Sequence, residues 1–319
     1  MPVADVSVII VCWNSAALLA QCLESLLAQT VRPNAILVID NASTDNSAEI
    51  GESFPEVTVH RMPTNLGFAA ANNYAIDRCG TAYVALLNPD AFPEPDWLES
   101  LLRAAKCHPE AASFGSRQVS AENPQILDGV GDVYHVTGFA WRRGYGAIQA
   151  QQYLQQSGIF APCAAAALYR RDALLLVGKF DEDYFCYMED VDLGFRLRLA
   201  GFSALYIPDA VVRHVGSAFT GVRSAFSVYH GHRNMVWTFV KNVPGILLWI
   251  LVPGHLLLNL LMILMLGLRG QGGIALKAKK DAFHGLQKMW RKRIEIQHTR
   301  VAGTWEIFKA MDKSILLGR

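Results

Sequence analysis

The sequence predicts an α/β protein with a parallel, doubly wound sheet, followed by an apolar and basic C-terminal region. Two observations carry this prediction. Over the first 120 residues, short β-branched runs alternate with segments of helical spacing, which is typical of parallel strands joined by crossover helices. Later in the chain, residues 246–268 contain only five residues that are not apolar, whereas the whole chain is 52% apolar.

The elements of the first part follow from their hydrophobic periods. Strands are predicted where apolar residues run together, and helices where apolar residues recur every three or four positions. The predicted strands are residues 6–11, 35–40, 57–61, 82–88 and 111–116, and the predicted helices are residues 16–29, 47–53, 68–79 and 96–108. A ligand of such a sheet lies at the carboxyl ends of the strands.

The next stretch is less regular. Repeated glycines interrupt residues 117–160, which predicts loops and short strands that shape a substrate cleft. Regular structure is expected again at residues 161–169, followed by a helix at residues 189–200 and two short strands at residues 204–207 and 211–214.

Polar side chains follow three of the predicted strands: Trp13 and Asn14, Asp40 and Asn41, and Asn88 to Asp90. Pro89 restrains the backbone, so that Asp90 projects at the sheet edge. A carboxylate in that place suits Mg²⁺ or Mn²⁺ shared with a substrate diphosphate. Aspartate is also common in turns, and the residues alone leave both interpretations of Asp90 open.

Three further segments are candidates for chemistry. Residues 65–73 open a helix around Gly67, but they form neither a GxGxxG nor a Walker sequence, which excludes a dinucleotide fingerprint or P-loop there. Glu189 and Asp190 begin a helix, where a carboxylate can act as a general base or simply complement the helix dipole. His214 ends a strand and is either a metal ligand or a structural histidine.

Charge is distributed unevenly along the chain. The net charge of +1 argues against a protein that coats nucleic acid. Residues 269–319 hold 12 lysines and arginines against 4 acidic residues, whereas residues 1–268 carry a net charge of −7. The chain does not begin with a basic segment followed by a long apolar one, so we expect the acidic body to stay in the cytoplasm.

The apolar segment at residues 246–268 is long enough to span a bilayer. Basic residues flank it on both sides, Arg223 among them, and a single crossing would place the more basic flank outside. Pro253 and Gly254 allow the segment to bend and return, or the segment lies in the membrane interface, and this monotopic or re-entrant interpretation is favoured. A single span and a buried core or dimer helix remain open.

Six segments carry a family resemblance: VSVIIVCWN at 6–14, VIDNAST at 38–44, NLGFAAANN at 65–73, LLNPDA at 86–91, FDEDYFCYMEDVDLGFRLRLAGF at 180–202 and VVRHVGS at 211–217. In combination they resemble glycosyltransferase family 2, particularly its bacterial rhamnosyltransferase-like members. The resemblance implies a GT-A fold with one nucleotide-binding sheet in residues 1–240. Residues 241–319 would form a helical, membrane-associating region.

The resemblance also implies a role for individual positions. Nucleotide-sugar binding falls to Trp13, Asn14, Asp40, Asn65, Gly67, Asn88 and Asp90, metal binding to Asp90 and His214, and acceptor deprotonation to Asp190 with support from Glu189. Asn88 stands where the metal motif of the family has its first aspartate.

The reaction implied is inverting, Mg²⁺- or Mn²⁺-dependent transfer of a sugar from a nucleotide diphosphate. Rhamnose from dTDP-rhamnose is the first choice of donor, and a UDP-hexose or UDP-galactofuranose is the next. The basic, apolar tail suggests a lipid-linked glycan acceptor at the anionic cytoplasmic face of the inner membrane, although a soluble acceptor remains open. The alternatives are a sugar nucleotidyltransferase and a non-catalytic assembly protein on a transferase fold.

Overall fold

The computed structural model describes residues 3–216 and 224–314, so that Ser217, Arg223 and residues 315–319 lie outside it. The strands are β1 (Val3–Cys12), β2 (Arg32–Asp40), β3 (Val57–Arg61), β4 (Tyr83–Leu87), β5 (Ala91–Pro93), β6 (Ala111–Ser120), β7 (Leu127–Gly129), β8 (Asp132–Tyr134), β9 (Ala140–Arg142), β10 (Ser157–Gly158), β11 (Ala166–Arg170) and β12 (Ser203–His214). The helices are α1 (Ala16–Leu27), α2 (Ser47–Glu52), α3 (Gly67–Ile76), α4 (Trp97–Cys107), α5 (Arg171–Leu176), α6 (Glu189–Leu199), α7 (Ala225–Asn242), α8 (Leu247–Leu268), α9 (Gly272–His284), α10 (Leu286–His298) and α11 (Thr304–Ala310).

Strands from the alternating first part and from residues 127–214 form one mixed sheet with the order β10-β12-β6-β11-β4-β1-β2-β3, to which β5 and β7 are added on β12 and β6. Strands β1 to β4 are parallel, as predicted. The prediction of a wholly parallel sheet is wrong, because β11 runs antiparallel to both β4 and β6. β11 lies between these two strands in the sheet order and therefore runs against both of its neighbours.

The two short strands predicted at residues 204–207 and 211–214 form one strand instead. β12 pairs in parallel with β6 on both sides of residues 208–210, and the register shifts between Ser203 and Ala204 and again between Ile207 and Val211. Pro208 cannot donate to the ladder, and a local irregularity at this point keeps the strand continuous. Its far end reaches β5, where His214 pairs with Ala91.

The strands are nearly continuous in apolar residues because helices cover both faces of the sheet. In β1, Val8 and Ile10 pack on one face with residues of α1 and α4. Ile9 lies on the opposite face with residues of α3 and α6. The two faces thus hold separate cores, and the polar strand ends collect at the edge between them.

Five helices, α7 to α11, form the C-terminal part of the described chain. The apolar segment is one continuous helix, α8, which passes through Pro253. The bend and return that the sequence allowed at Pro253 and Gly254 is therefore wrong. The reason is packing: Leu248, His255 and Leu266 are buried from one end of α8 to the other, and the His255 ring stacks on Phe239 with centroids 4.0 Å apart.

The opposite face of α8 is apolar and exposed. On this face the following large side chains are each more than half exposed to solvent: Trp249, Ile250, Leu256, Leu257, Leu260, Leu261 and Leu264. Only 28% of the most apolar window of this helix is buried, which is little for the core helix of a globular domain. We call this surface the outer face of α8.

Candidate active site

The ends of β1 and β2 bring the first two polar pairs together at the carboxyl edge. Cys12 pairs with Asp40, so that Trp13 and Asn14 lie next to the end of β2. Asn14 has a positive φ of 51°, and its side-chain oxygen accepts a hydrogen bond from the Thr44 amide at 2.8 Å. Asp40 is buried, whereas Trp13 is 41% exposed. This edge of the sheet therefore carries a buried carboxylate, that of Asp40, and an exposed indole, that of Trp13.

Asn41 connects this edge to the start of α3. Its amide donates to the side-chain oxygen of Asn65 at 2.9 Å and accepts from the Leu66 amide at 2.8 Å. Gly67 follows with a φ of +78°, and a Cβ there would lie 2.5 Å from the ring of Phe185. Only glycine fits this position, because both the backbone conformation and the close approach exclude a side chain.

Asp90 lies in the turn between β4 and β5, and His214 lies at the end of β12 beside it. The Asp90 Oδ1 and His214 Nε2 atoms are 3.2 Å apart, and both residues are buried. The two atoms form a buried ion pair, and neither has a further partner among the described residues. An oxygen and an imidazole nitrogen aimed at one point suit a divalent cation, so the residues present fit the metal that the resemblance implies.

The two side chains would supply only part of a coordination sphere. Within residues 3–216 and 224–314, no group of three or more histidines, cysteines and acids could hold a metal ion. Mg²⁺ and Mn²⁺ commonly complete their coordination with water and substrate phosphates. This pair of ligands therefore suits a cation that is shared with a diphosphate.

Asp128, in β7, is a residue that the sequence analysis missed. Its Oδ2 is 2.7 Å from His214 Nδ1 and 2.5 Å from an Arg142 guanidinium nitrogen. Burial alone lowers the pKa of His214, but the hydrogen bond to Asp128 and the neighbouring Asp90 raise it to about 9. The imidazole is thus fixed by its Nδ1 side, with Nε2 directed at Asp90.

Glu189 and Asp190 begin α6 on the other side of the same edge. Asp190 accepts hydrogen bonds from the amides of Ala164, at 3.3 Å, and Val191, at 2.8 Å. Ala165, which follows Ala164 in the chain, accepts a hydrogen bond from the Asn88 amide at 2.8 Å. The segment before β11 thus joins the turn that carries Asp90 to the helix that carries Asp190.

The environments of Glu189 and Asp190 separate the pKa values of the two carboxyls. Burial raises the pKa of Asp190, but its two backbone hydrogen bonds and Arg142 oppose that rise. Burial and the neighbouring Asp190 raise the pKa of Glu189 well above its usual range. Raised carboxyl pKa values are typical of functional sites, and the hydrogen bonds to Asp190 favour its ionised form.

Asp132, which is buried, and Arg142, whose side chain is 33% exposed, lie near Asp190, and the sequence analysis missed both. Burial and the charge of Asp190 raise the pKa of Asp132 well above its usual range, and Arg142 opposes this rise. Both lie in the irregular region, on β8 and β9, which pair with each other. One signal in the sequence was available: Asp128 and Asp132 interrupt the apolar residues of a stretch with little other charge.

The described site thus joins the ends of β1 and β2, the Asp90–His214 pair and the carboxylates at the start of α6. The family model described as Glycosyl transferase family 2 matches residues 7–176, more than half of the chain. The chain belongs to this family and is a glycosyltransferase similar to bacterial rhamnosyltransferases.

Two curated relatives show the range of this similarity. One is an N-acetylglucosaminyl-diphospho-decaprenol L-rhamnosyltransferase of Mycobacterium tuberculosis, 32% identical over 265 residues, with 74% of this chain and 83% of the relative covered. The other is a pre-mycofactocin glycosyltransferase of the same species, 32% identical over 212 residues, with 66% of this chain and 42% of the relative covered.

Solved structures support the GT-A-like fold. The structure of GalNAc-T7 with UDP, GalNAc and Mn²⁺ matches with a TM-score of 0.61 at 15% identity, covering 74% of this chain and 47% of that one. The mannosyltransferase PcManGT from Pyrobaculum calidifontis, in complex with GDP-Man and Mn²⁺, matches with a TM-score of 0.55 at 16% identity, covering 92% and 84%. At these identities the likeness concerns the fold alone.

Proposed function

We propose that this enzyme transfers a sugar, in the first place rhamnose from dTDP-rhamnose, to a hydroxyl group of a lipid-linked glycan with inversion. One observation carries the proposal: the buried pair of Asp90 and His214 and the hydrogen-bonded carboxylate of Asp190 share one edge of the sheet. The similarity to an enzyme named for a diphospho-decaprenol substrate supports the choice of sugar and acceptor.

The donor would lie along the strand ends. In this proposal Trp13, Asn14 and Asp40 hold the nucleoside, with Asp40 facing the base, and Asn65, Gly67 and Asn88 follow the nucleotide toward the cation. Gly67 supports this path, because the backbone at a position without a side chain can approach a ligand closely. A UDP-hexose or UDP-galactofuranose is the next choice of donor.

Asp90 and His214 would hold Mg²⁺ or Mn²⁺, which supplies a positive charge for the departing diphosphate. Asp190 would accept the proton of the acceptor hydroxyl as its oxygen attacks the anomeric carbon. Glu189, whose pKa is raised well above its usual range by burial and the neighbouring Asp190, would support the acceptor or the base. One displacement with one base inverts the configuration, without the second catalytic carboxylate of a retaining glycosidase.

The first experiment measures thermal stability of the purified protein against a panel of nucleotide diphosphates with and without Mn²⁺. We expect metal-dependent stabilisation by dTDP or UDP that is lost in Asp90→Ala, because a ligand stabilises the native state that it binds. Asp190→Asn should keep this stabilisation and lose about 10²–10⁴-fold in transfer rate.

Two results would contradict the proposal. Folded protein that no nucleotide stabilises would favour the non-catalytic alternative, and release of pyrophosphate would favour a nucleotidyltransferase. The anomeric configuration of the product, read by NMR, tests inversion separately.

We also propose that the C-terminal region, residues 241–319, holds the enzyme on the anionic cytoplasmic face of the membrane. The 22 residues of α8 could span a bilayer, but the helix packs on its neighbours from Leu248 to Leu266. A crossing would take the basic side chains of the helices that pack on α8 into the lipid. With the outer face in the interface, α8 would lie in the membrane plane and the basic side chains would reach the headgroups.

A further inference from the structure

The loop from Tyr184 to Met188, which leads into Glu189 and Asp190, has an unusual backbone. Phe185, Tyr187 and Met188 have positive φ angles of 64°, 67° and 68°, although none of them is glycine. Such conformations are unfavourable for bulky side chains and persist only when the surroundings hold them. The carbonyl of Met188 accepts the first hydrogen bond of α6, at 2.9 Å from the Asp192 amide, so this loop determines where α6 begins.

The side chain of Asn234, in α7, hydrogen-bonds to the backbone of this loop. Its side chain is fully buried, and its amide nitrogen lies 3.0, 3.0 and 2.8 Å from the carbonyl oxygens of Tyr184, Cys186 and Tyr187. One amide group thus contacts three carbonyls of five consecutive residues. These contacts satisfy buried acceptors that the irregular backbone leaves outside any helix or sheet.

Arg233 fixes the orientation of that amide. Its Nε donates to the Asn234 side-chain oxygen at 2.9 Å, which directs the amide nitrogen toward the loop. The Arg233 Nη2 also donates to the carbonyls of Asp183 and Tyr184, at 3.0 Å each, and the guanidinium lies 4.2 Å from the Trp237 ring centroid. We call Arg233 and Asn234 the α7 clamp.

The opposite side of the loop contacts the start of α3. The Phe185 carbonyl accepts a hydrogen bond from the Ala69 amide at 3.2 Å, and the Phe185 ring fills the space beside Gly67. The loop therefore lies between the helix proposed for the nucleotide and the helix that carries the proposed base.

We propose that Asn234 is a positioning residue of the transfer reaction, which keeps the strained loop in the one conformation that aims Asp190 at the acceptor. This inference rests on the proposed role of Asp190 as base. Asn234 contacts the carbonyl groups of the loop, so that it would act on the reaction through the backbone of the loop alone. Its loss should then affect the chemical step and leave donor binding intact.

The test compares kcat and KM of Asn234→Ala with those of Asn259→Ala in the full-length protein. Asn259 is a matched control, since it is also a buried asparagine that donates to a carbonyl, that of His255 within α8. We expect kcat of Asn234→Ala to fall about 100-fold, because small displacements of reacting groups have effects of this size. The donor KM and the stabilisation by nucleotide and Mn²⁺ should stay unchanged, and Asn259→Ala should keep its kcat.

A second-site variant separates positioning from simple destabilisation. Glycine adopts a positive φ without strain, so Met188→Gly in the Asn234→Ala background should restore kcat by about 10-fold. Should Asn234→Ala not fold, Arg233→Gln removes the bond that orients the amide and should lower kcat in the same way.

The inference is overturned if folded Asn234→Ala keeps its kcat, if Asn259→Ala loses as much, or if Met188→Gly restores nothing. Asp190→Asn is measured beside these variants. If Asp190→Asn keeps full activity, the proposed base is wrong, whereas an inactive Asp190→Asn beside a fully active Asn234→Ala rejects the clamp alone.

Discussion

His214 shows how single residues acquire a function from distant partners. Asp90 and His214 were candidates from their positions at strand ends, and the structure brings their side chains within 3.2 Å. Asp128 was missed, although it lies between His214 and Arg142 and contacts both. A carboxylate that hydrogen-bonds to one ring nitrogen of a histidine orients the other nitrogen toward a metal. Mutation of such a carboxylate typically costs about 10–100-fold in metal affinity.

Asp128→Asn should therefore weaken Mn²⁺ binding by about 10–100-fold, since the imidazole loses its charged partner. The affinity can be measured from the electron paramagnetic resonance signal of unbound Mn²⁺. Asp209→Asn is the control, because Asp209 lies on the same strand as His214 with its side chain 70% exposed. An unchanged affinity in Asp128→Asn would show that the position of His214 does not depend on Asp128.

Arg142→Gln should move the acidic limb of the pH–rate profile to higher pH. Arg142 opposes the burial that raises the pKa of Asp190, so its removal raises that pKa further. A base must be ionised, and activity is therefore lost as the pH falls through a higher value. The profile is measured at saturating Mn²⁺, with Arg143→Gln as the neighbouring control. Superimposable limbs for Arg142→Gln and the wild type would contradict this electrostatic role.

At the scale of elements, a buried ionic network joins α6 to α7. Lys241 lies 2.6 Å from Asp181 and 2.8 Å from Asp192, and Asp192 also pairs with Arg196. Burial would raise the pKa of Asp192, but Lys241 and Arg196 hold it below its usual value. The ionised carboxylate therefore contributes stability above the pKa of the unfolded state, and this contribution is lost as the pH falls through the lower folded value.

Lys241→Met should destabilise the protein by about 1–3 kcal/mol at neutral pH, because Asp181 and Asp192 lose their shared buried cation and keep only Lys292 and Arg196, respectively, as cationic partners. Urea unfolding measures this change. Lys288→Met is the control, since Lys288 is 60% exposed in its ion pair with Asp183, and it should lower the free energy of unfolding by less than about 1 kcal/mol. Equal effects of the two substitutions would contradict the importance of burial here.

At the scale of the whole molecule, the exposed apolar surface is concentrated in the C-terminal helices. Besides the outer face of α8, Leu276, Phe283, Trp290 and Ile294 are large apolar side chains that are at least 40% exposed on α9 and α10. Extensive exposed apolar surface with basic residues nearby is typical of proteins that bind a membrane interface. Deletion of residues 241–319 would test this poorly, because it removes the buried Lys241.

Leu257→Glu combined with Leu261→Glu should weaken binding to anionic phospholipid vesicles by at least about tenfold, since each buried leucine contributes about 1.5–3 kcal/mol. Cosedimentation with vesicles measures the binding. Leu176→Glu on α5 is the control, because Leu176 is 70% exposed but lies on the catalytic body. Vesicle binding that survives both substitutions on α8 would remove this face from the membrane contact.

The sequence by itself determined the alternating strands and helices of the first 116 residues and the edge at which the site forms. Hydrophobic period is a local property, and the ends of β1, β2 and β4 meet at one edge once the strands are parallel. Trp13, Asp40 and Asp90 could therefore be placed together, as could the start of α6 with Glu189 and Asp190. The apolar length of α8 was equally evident.

Only the tertiary structure decided the direction of β11, the continuity of α8 and the partners behind the site. Asp128 contacts a histidine 86 residues away, and Asn234 contacts carbonyls about 50 residues before it. Residues 117–160 have no hydrophobic period from which such contacts could be predicted, and a left-handed backbone at Tyr187 or Met188 leaves no mark in their side chains. Long-range packing selects these contacts, because it alone compensates for buried charge and strained backbone.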